Sequence, residues 1–334
     1  MNSDTDGRNV NGEPGSSRAA SPEGADRPIS VQGLPASAAR AGSVSRRGLI
    51  GLAAAAAAGS PLLFRGGARD RAEAEPALPS AGRLRQGVCR WPFDGIPLPE
   101  FAALCKRLGF GAIDLLHADE WPVAAQHGLV CSTGYPARRG DFIARGFNDR
   151  TSHGLLLNEL EQTIPLAKQA GVRNIITMFG NRGDRTEREG IDACIDGLRR
   201  IAPLAEEQGV NVILEMLNSK VDHKGYQADS TRFGVEVVSG VGSSRVRLLY
   251  DIYHMQVMEG DVIRTIRENH EWFAHYHTAG NPGRNELDAA QELQYPAIMK
   301  AIADTGFDGW IAHEFIPTKP PATGLAQARD ICTV

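Results

Sequence analysis

Short apolar runs alternate with longer amphipathic runs along the chain from residue 86 onwards. The short runs have the length of buried strands, and the longer runs have the apolar spacing of helices. Regular alternation of the two is typical of βα units arranged around a parallel sheet. The pattern predicts eight strands, at Gln86–Trp91, Ala112–Leu116, Leu129–Thr133, Asn174–Phe179, Asn211–Leu217, Val246–Tyr253, Phe273–Thr278 and Gly309–Phe315.

Several of the predicted helices end at a glycine, namely Gly109, Gly171, Gly209 and Gly306. Glycine adopts a left-handed conformation at little steric cost and therefore often terminates a helix. The repeated step from a helix through glycine into a buried strand is the αβ junction expected of a barrel. Among the predicted helices are Pro99–Leu108, Gly154–Ala170, Glu187–Gln208 and Asp261–His270.

Eight strands are the number that a closed barrel requires, so the expected fold is an α/β structure of the (β/α)8 TIM barrel type. The alternative is a doubly wound open sheet. That fold usually carries a glycine-rich phosphate loop after its first strand, and Cys89-Arg90-Trp91-Pro92 has no such character. A barrel also predicts where chemistry occurs, because its active sites lie at the carboxyl ends of the strands.

The segment before the first predicted strand has a different composition. Residues 1–44 are rich in small and polar residues and are expected to be disordered. Ser45-Arg46-Arg47-Gly48-Leu49-Ile50, followed by the alanine run 53–58, resembles the twin-arginine signal read by the Tat translocon. We therefore expect a leader at 1–74, which combines a disordered segment with the signal, followed by a single barrel domain at 75–334.

The resemblance to a Tat signal implies export to the periplasm or the extracellular space, with the translocon as a transient partner. Ala72-Glu73-Ala74 offers a small-x-small cleavage site. The apolar stretch from Gly48 to Phe64 is shorter than the roughly 20 residues of a spanning helix, so no stable membrane anchor is expected, although an uncleaved anchor stays an alternative. The remaining 260 or so residues match the roughly 250 typical of a TIM barrel.

The composition is that of an ordinary soluble globular protein: 334 residues, 42% hydrophobic and 23% charged, with a net charge of −4. It excludes collagenous, coiled-coil and disulfide-scaffold classes. The slight acidic excess argues against a nucleic-acid partner. Five scattered cysteines without a C-x-x-C pair exclude zinc-finger and thioredoxin-like sites and are expected to be buried. Whether the protein forms a homo-oligomer stays open.

Four predicted strand ends carry a side chain that can bind a metal ion: Glu215, Asp251, His277 and Glu314 on the fifth to eighth predicted strands. Adjacent strands lie roughly 4.8 Å apart, so their ends can surround a single ion. Three carboxylates and one imidazole suit Mn²⁺, Mg²⁺ or Co²⁺ better than a structural zinc.

Further polar side chains follow these strand ends. His254 lies just beyond the predicted sixth strand, where it can lean over the mouth of the barrel. His275 and His277 share one face of their strand. Arg284 is expected at the rim of the barrel mouth, where its guanidinium can bind a carboxylate or phosphate by two hydrogen bonds. His117, after the second strand, either lines the pocket or belongs to the rim.

Three motifs together resemble the hydroxypyruvate isomerase family of the xylose isomerase-like barrels. They are Asp251-Ile-Tyr-His254, the His277 to Glu286 segment that contains Asn281-Pro-Gly-Arg284, and the closing strand Gly309-Trp-Ile-Ala-His-Glu314-Phe. The resemblance implies that Glu215, Asp251, His277 and Glu314 bind the metal. It also implies that the two glutamates act as acid and base, and that His254 and Arg284 bind substrate.

The resemblance has two departures. Glutamine is the seventh-strand ligand of hydroxypyruvate isomerases, whereas the His277 found here is typical of the related ketose 3-epimerases. The characterised family members are also cytoplasmic, whereas this chain carries an export signal. The expected reaction is a metal-assisted proton transfer through an enediolate that interconverts hydroxypyruvate and tartronate semialdehyde. Three alternatives stay open: a sugar isomerase or epimerase, an exported carbohydrate-binding barrel without catalysis, and a multi-metal nuclease related to endonuclease IV.

Overall fold

A computed structural model describes residues 82–334, and the predicted leader, 1–74, lies outside the described residues. The strands are β1 (Arg85–Cys89), β2 (Ala112–Asp114), β3 (Val130–Cys131), β4 (Thr133–Gly134), β5 (Asn174–Met178), β6 (Asn211–Glu215), β7 (Val246–Asp251), β8 (Phe273–Thr278) and β9 (Trp310–His313). All are parallel, and their order β3-β2-β1-β9-β8-β7-β6-β5-β4 rolls into a nearly closed barrel. The predicted (β/α)8 fold is thus confirmed.

The predicted third strand is divided in two, because Ser132 alone separates β3 from β4. β3 pairs with β2 and β4 pairs with β5, so the two short strands together join the ends of the sheet. Nine strands therefore occupy eight positions. The other seven predicted strands are also found, with ends shifted by at most two residues.

Helices connect the strands and cover the outside of the barrel. The four glycines expected to end helices all have positive φ angles, between 68° and 86°. No helix within residues 82–334 is both long and apolar enough to cross a bilayer. The helices are α1 (Leu98–Arg107), α2 (Trp121–Gln126), α3 (His153–Ala170), α4 (Glu187–Gln208), α5 (Thr231–Val241), α6 (Ile252–Met258), α7 (Val262–Asn269), α8 (Tyr295–Asp304) and α9 (Pro321–Ile331).

Alternation along the strands divides the apolar side chains between two cores. The larger core lies between the sheet and the helices. The smaller one fills the inside of the barrel and comprises Cys89, Leu115, Ile176, Met178, Ile213, Leu249 and Ala312. Two positions beyond three of these residues, on the same inward face, stand Glu215, Asp251 and Glu314.

The two ends of the described chain meet at the amino ends of the strands. The Arg83 amide donates to the Val334 carbonyl across 2.8 Å, just before β1 begins. This is the face of the barrel opposite the carboxyl ends of the strands.

Candidate active site

Four side chains able to bind a metal converge at the carboxyl ends of consecutive strands. Glu215 ends β6, Asp251 ends β7, His277 lies in β8 and Glu314 directly follows β9. One oxygen or nitrogen atom of each lies within 4.8 Å of the corresponding atoms of the other three. All four side chains are at most 5% exposed. The structure thus brings together the residues proposed as ligands, and their binding of a cation stays a prediction.

Three of the four converging atoms have no hydrogen-bond partner within residues 82–334. Nδ1 of His277 lies 3.1 Å from Oε2 of Glu314 and 3.3 Å from Oε1 of Glu215, yet it forms a hydrogen bond with neither. Oε1 of Glu215 and Oδ2 of Asp251 are likewise buried and unpartnered. Leaving such atoms unpaired costs free energy. Their orientation around a common centre fits a bound cation.

The charge of the site leads to the same conclusion. Three buried carboxylates face one permanently charged group, the Arg284 guanidinium, so the site carries two excess negative charges whenever His277 is neutral. Burial raises the pKa of Glu215 and raises that of Asp251 to about 7. A divalent cation would balance this charge and favour the ionised carboxylates. Three oxygen ligands and one imidazole fit Mn²⁺, Mg²⁺ or Co²⁺.

Asp114, the last residue of β2, orients His277 from below. Its Oδ2 lies 2.8 Å from Nε2 of His277 and 3.1 Å from Nε2 of His275, and its Oδ1 accepts a 2.5 Å hydrogen bond from Ser132. Burial alone would lower the pKa of His277, but Cys89, Glu314 and Asp114 hold it well above its usual range. With a cation at the centre, a carboxylate at Nε2 would keep the proton on that nitrogen and leave the Nδ1 lone pair for the cation. Burial alone would raise the pKa of Asp114, but His275 and His277 hold it well below its usual range.

Asp114 was not among the predicted site residues. It is fully buried and interrupts the apolar run Ala112–Leu116, and this is the sequence signal that could have revealed it. His275 shares the inward face of β8 with His277, as expected, but its contact is with Asp114 below the site. Cys89 is also part of this layer, 3.6 Å from Nε2 of His277. All five cysteines are buried and free, as predicted.

Arg284 closes one side of the site. Its Nη2 lies 2.5 Å from Oε2 of Glu314 and 3.7 Å from Oδ2 of Asp251. The guanidinium carbon lies 5.3 Å from the ring centroid of Trp91 and 5.6 Å from that of Tyr253. Arg284 also has a φ of 58°, which is strained for any residue but glycine and is often found at functional sites.

Glu286 anchors the loop that carries Arg284. Its carboxylate accepts hydrogen bonds of 2.7 to 2.8 Å from the hydroxyl and amide of Thr318 and from the amide of Lys319. The Ile316 amide donates to the Arg284 carbonyl across 2.7 Å. These bonds tie the loop after β8 to the loop after β9 and so hold Arg284 beside Glu314.

Glu314 itself is surrounded by donors. Trp91 Nε1 donates to its Oε1 across 2.6 Å, and Arg284 binds its Oε2. Burial alone would raise the pKa of Glu314, but His277 and Arg284 together hold it well below its usual range. Trp91 therefore contacts the site directly.

His254 lies in the first turn of α6. The predicted sixth strand runs too far at this point, because Asp251 ends β7 and caps the helix by accepting a 3.0 Å hydrogen bond from the His254 amide. Ile252 and Tyr253 are therefore helical. The cap holds the His254 ring over the mouth, with Nε2 3.7 Å from Oδ2 of Asp251. Burial holds the pKa of His254 well below its usual range, so the ring is neutral.

The remaining candidates lie around or outside this centre. His117 stacks on Tyr135 at a centroid distance of 5.0 Å at the rim, and its contact with substrate stays a prediction. Asn148 and His153 hold loops, through bonds of 2.7 Å to Gln227 and 2.9 Å to the Phe147 carbonyl.

Residues 89–332 match the model of a protein family described as "xylose isomerase-like TIM barrel". The chain belongs to this family.

Relatives of the xylose isomerase-like chain include isomerases. It is 26% identical to the hydroxypyruvate isomerase of Escherichia coli over 63% of this chain and 74% of that protein. It is 33% identical to the 2-oxo-tetronate isomerase of Cupriavidus necator, over 34% of this chain and 43% of the relative. The chain spans a little less than two thirds of the length of relatives matched in Drosophila melanogaster and Homo sapiens, 66% and 64%.

Solved structures share the fold. A protein from Brucella melitensis described as an AP endonuclease of family 2 is 24% identical, with a TM-score of 0.65 over 73% of this chain and 97% of its own. L-ribulose 3-epimerase is 18% identical, with a TM-score of 0.62 over 74% of this chain and 92% of its own. At these identities the likeness extends to the barrel alone.

Proposed function

We propose that this protein is a divalent-metal-dependent isomerase of a small α-hydroxy carbonyl acid, with hydroxypyruvate and tartronate semialdehyde as the pair interconverted. The observation that carries the proposal is the set of three buried, unpartnered atoms on Glu215, Asp251 and His277. Glu314 is the fourth side chain of this group, and the Arg284 guanidinium is a positively charged partner for the substrate carboxylate. The isomerase relatives support the reaction class.

The two glutamates are placed to move one proton between neighbouring carbons. One carboxylate removes the proton from C3 of hydroxypyruvate, and a proton is then delivered to C2, while the hydroxyl proton passes from O3 to O2. Arg284 and the neutral His254 hold substrate oxygens during this exchange. A bound divalent cation would polarise the carbonyl and stabilise the negative charge that develops on the two oxygens.

Proton exchange is the decisive test. Mg²⁺-loaded enzyme is incubated with hydroxypyruvate in D2O and followed by NMR, with the Glu314→Gln variant as the matched control, because hydroxypyruvate also enolises unaided. We expect enzyme-dependent tartronate semialdehyde that carries deuterium, and loss of turnover in a correctly folded Glu314→Gln. Equal rates for the two proteins would contradict the catalytic role of Glu314.

The variants Glu215→Gln and Glu314→Gln also separate the two proton-transfer roles. Loss of the base abolishes both exchange and product, whereas loss of the acid leaves deuterium exchange into hydroxypyruvate without product. Normal turnover in both variants would exclude this mechanism.

A ketose 3-epimerase is the second candidate, and His277 is the observation in its favour. The same pair of carboxylates could remove and return the proton at C3 of a ketohexose. Deuterium at C3 of D-fructose or D-tagatose, without exchange into hydroxypyruvate, would establish this activity. Tight cation binding without exchange into any of these compounds would favour the carbohydrate-binding alternative.

We also propose that the chain is exported through the Tat translocon, on the basis of Arg46 and Arg47 before the alanine run. Residues 1–74 fused to a fluorescent reporter should deliver it to the periplasm of a bacterial host. The matched control replaces both arginines by lysine, which keeps the charge and should retain the reporter in the cytoplasm. Equal distribution of the two fusions would contradict Tat export.

A further inference from the structure

The side-chain amide of Asn218, in the loop after β6, has a defined orientation. Its Oδ1 accepts hydrogen bonds from the backbone amides of Val221, at 3.1 Å, and Asp222, at 2.9 Å. Backbone amides only donate, so the atom that faces them must be the oxygen. The Nδ2 group therefore lies on the opposite side, toward His254.

Nδ2 of Asn218 has two neighbours that accept hydrogen bonds. Oδ2 of Asp222 lies 2.7 Å away and takes one of its hydrogens, and Nδ1 of His254 lies 2.7 Å away in the direction of the other. An amide nitrogen donates and does not accept. Nδ1 of His254 must therefore be unprotonated, and the proton of the neutral ring resides on Nε2.

This Nε2–H group points into the candidate active site. His254 and Asn218 are both fully buried, and Nε2 has no hydrogen-bond partner among the described residues. Oδ2 of Asp251 lies 3.7 Å from Nε2, too far for a hydrogen bond. A buried donor without a partner marks a place for a ligand oxygen.

We infer that Asn218 is a positioning residue that fixes His254 as a neutral hydrogen-bond donor to the substrate, on the face of the site next to Asp251. The inferred substrate contact rests on the proposed function, whereas the ring tautomer does not. The opposite tautomer would present a lone pair to a substrate oxygen and to Asp251 and would repel both. The site thus selects ligands that carry an acceptor oxygen at this place.

The tautomer is measured directly by ¹H–¹⁵N NMR of the two ring nitrogens in the full-length protein. The His254 signals are assigned by their disappearance in His254→Gln. We expect the wild-type ring to show a protonated Nε2 and an unprotonated Nδ1. A protonated Nδ1 in the wild-type protein would overturn the inference without any further variant.

Two reciprocal substitutions test the role of Asn218. Asn218→Asp replaces the donor by a carboxylate oxygen, which draws a proton to Nδ1. Asp222→Asn is the matched control, because it makes the reverse exchange, carboxylate to amide, one hydrogen bond further from the ring and keeps an acceptor oxygen for Asn218 and for the Tyr253 hydroxyl. We expect the ring signals to change in Asn218→Asp and to be preserved in Asp222→Asn. Unchanged signals in Asn218→Asp would overturn the inference.

Calorimetric binding of tartronate in the presence of Mg²⁺ tests the substrate contact. We expect affinity to fall about tenfold or more in Asn218→Asp, the effect of one lost hydrogen bond to a charged ligand, and by less than about threefold in Asp222→Asn. A changed tautomer with unchanged tartronate affinity would overturn the substrate contact and leave the tautomer assignment standing. Mg²⁺ binding by both variants at wild-type affinity would show that a loss of tartronate affinity is not caused by damage to the four candidate metal ligands.

Discussion

A histidine that binds a cation needs one ring nitrogen free of its proton, and for His277 that condition depends on Asp114. The carboxylate engages Nε2 at 2.8 Å and leaves Nδ1 directed at the two glutamates. Asn218 acts on His254 in the opposite way, because its amide donates to Nδ1 and the ring proton on Nε2 then faces the site. Under the proposed function, Asp114 thus prepares His277 to bind the cation, and Asn218 prepares His254 to donate a hydrogen bond to a ligand.

Replacing Asp114 by Asn is expected to weaken binding of Mn²⁺ about 10- to 100-fold, the usual cost of losing a carboxylate behind a metal-binding histidine. Titration followed by electron paramagnetic resonance of free Mn²⁺ measures this affinity. Ser132→Ala is the control, because it removes a hydrogen bond to Oδ1 of Asp114 and keeps the Oδ2 contact with His277. Equal affinities in Asp114→Asn and the wild type would refute the orienting role.

Replacing Arg284 by Lys keeps the charge but loses the planar group held between Trp91 and Tyr253. We expect kcat/KM for hydroxypyruvate to fall at least about tenfold, mostly through KM, because two-point binding of the carboxylate is lost. The same comparison with a neutral ketohexose should show a smaller loss. A larger loss with the neutral sugar would favour the epimerase alternative.

Some residues of this site could be predicted from the sequence and others could not. Glu215, Asp251, His277 and Glu314 could be singled out because each follows an apolar strand, where a charged side chain is conspicuous. Asp114 leaves a weaker signal, because it interrupts an apolar run but its partner His277 lies 163 positions away. Asn218 leaves none, because its role depends on a contact with His254, 36 positions away, which no local pattern reveals.

At the scale of strands and helices, alternation along the strands places the chemistry. Ile213, Leu249 and Ala312 fill the barrel, and the next inward positions on the same strands are Glu215, Asp251 and Glu314. The ligand atoms are therefore supported by a rigid apolar floor rather than by loops. Arg284, by contrast, lies on a loop, and the three hydrogen bonds of Glu286 supply the rigidity that a strand would give.

The outward face of β9 predicts a pH dependence of stability. His313 is fully buried between Thr278 Oγ1, 2.8 Å from Nδ1, and Gln86 Oε1, 3.0 Å from Nε2, and burial lowers its pKa from 6.5 to about 3. Between these values the unfolded chain binds a proton that the folded chain does not. The free energy of unfolding should therefore fall as pH falls from 6.5 toward 3, by about 1.4 kcal/mol per pH unit for this residue.

Urea unfolding at several pH values between 7 and 5, with a chelator present, measures this slope. His313→Gln should be less stable than the wild type at pH 7, yet its stability should fall less steeply as the solution is acidified. The other histidines contribute to both proteins alike, so they cancel in the difference. Parallel slopes for the two proteins would contradict the buried neutral state of His313.

Strand positions were easier to predict from sequence than strand ends. The predicted strand at Val246–Tyr253 ends two residues early because the Asp251 side chain caps a helix at that point. An apolar run continues through Ile252 and Tyr253, since the helix is buried as well. Hydrophobicity therefore reports burial, whereas the change from strand to helix depends on one side-chain hydrogen bond. The split at Ser132 is equally invisible in the apolar pattern.

For the molecule as a whole, a cation bound by the buried carboxylates would couple metal binding to folding. An ion that binds only the folded state stabilises it by about 2.7 kcal/mol at one hundred times its dissociation constant. We expect Mn²⁺ to raise the thermal midpoint and a chelator to reverse the shift. In the double variant Glu215→Gln, Asp251→Asn the midpoint should be independent of Mn²⁺. A midpoint that responds equally in both proteins would indicate binding elsewhere.

The contact between Arg83 and Val334 determines how this protein should be immobilised for measurement. Val334 lies on the side of the barrel away from the mouth. A C-terminal affinity tag bound to a sensor chip or a bead therefore turns the mouth toward the flowing solution. Immobilised molecules would share one orientation and offer unobstructed access to dissolved compounds. A coating of this kind should keep the turnover per molecule of the free protein, whereas random coupling through surface lysines should block a fraction of the mouths.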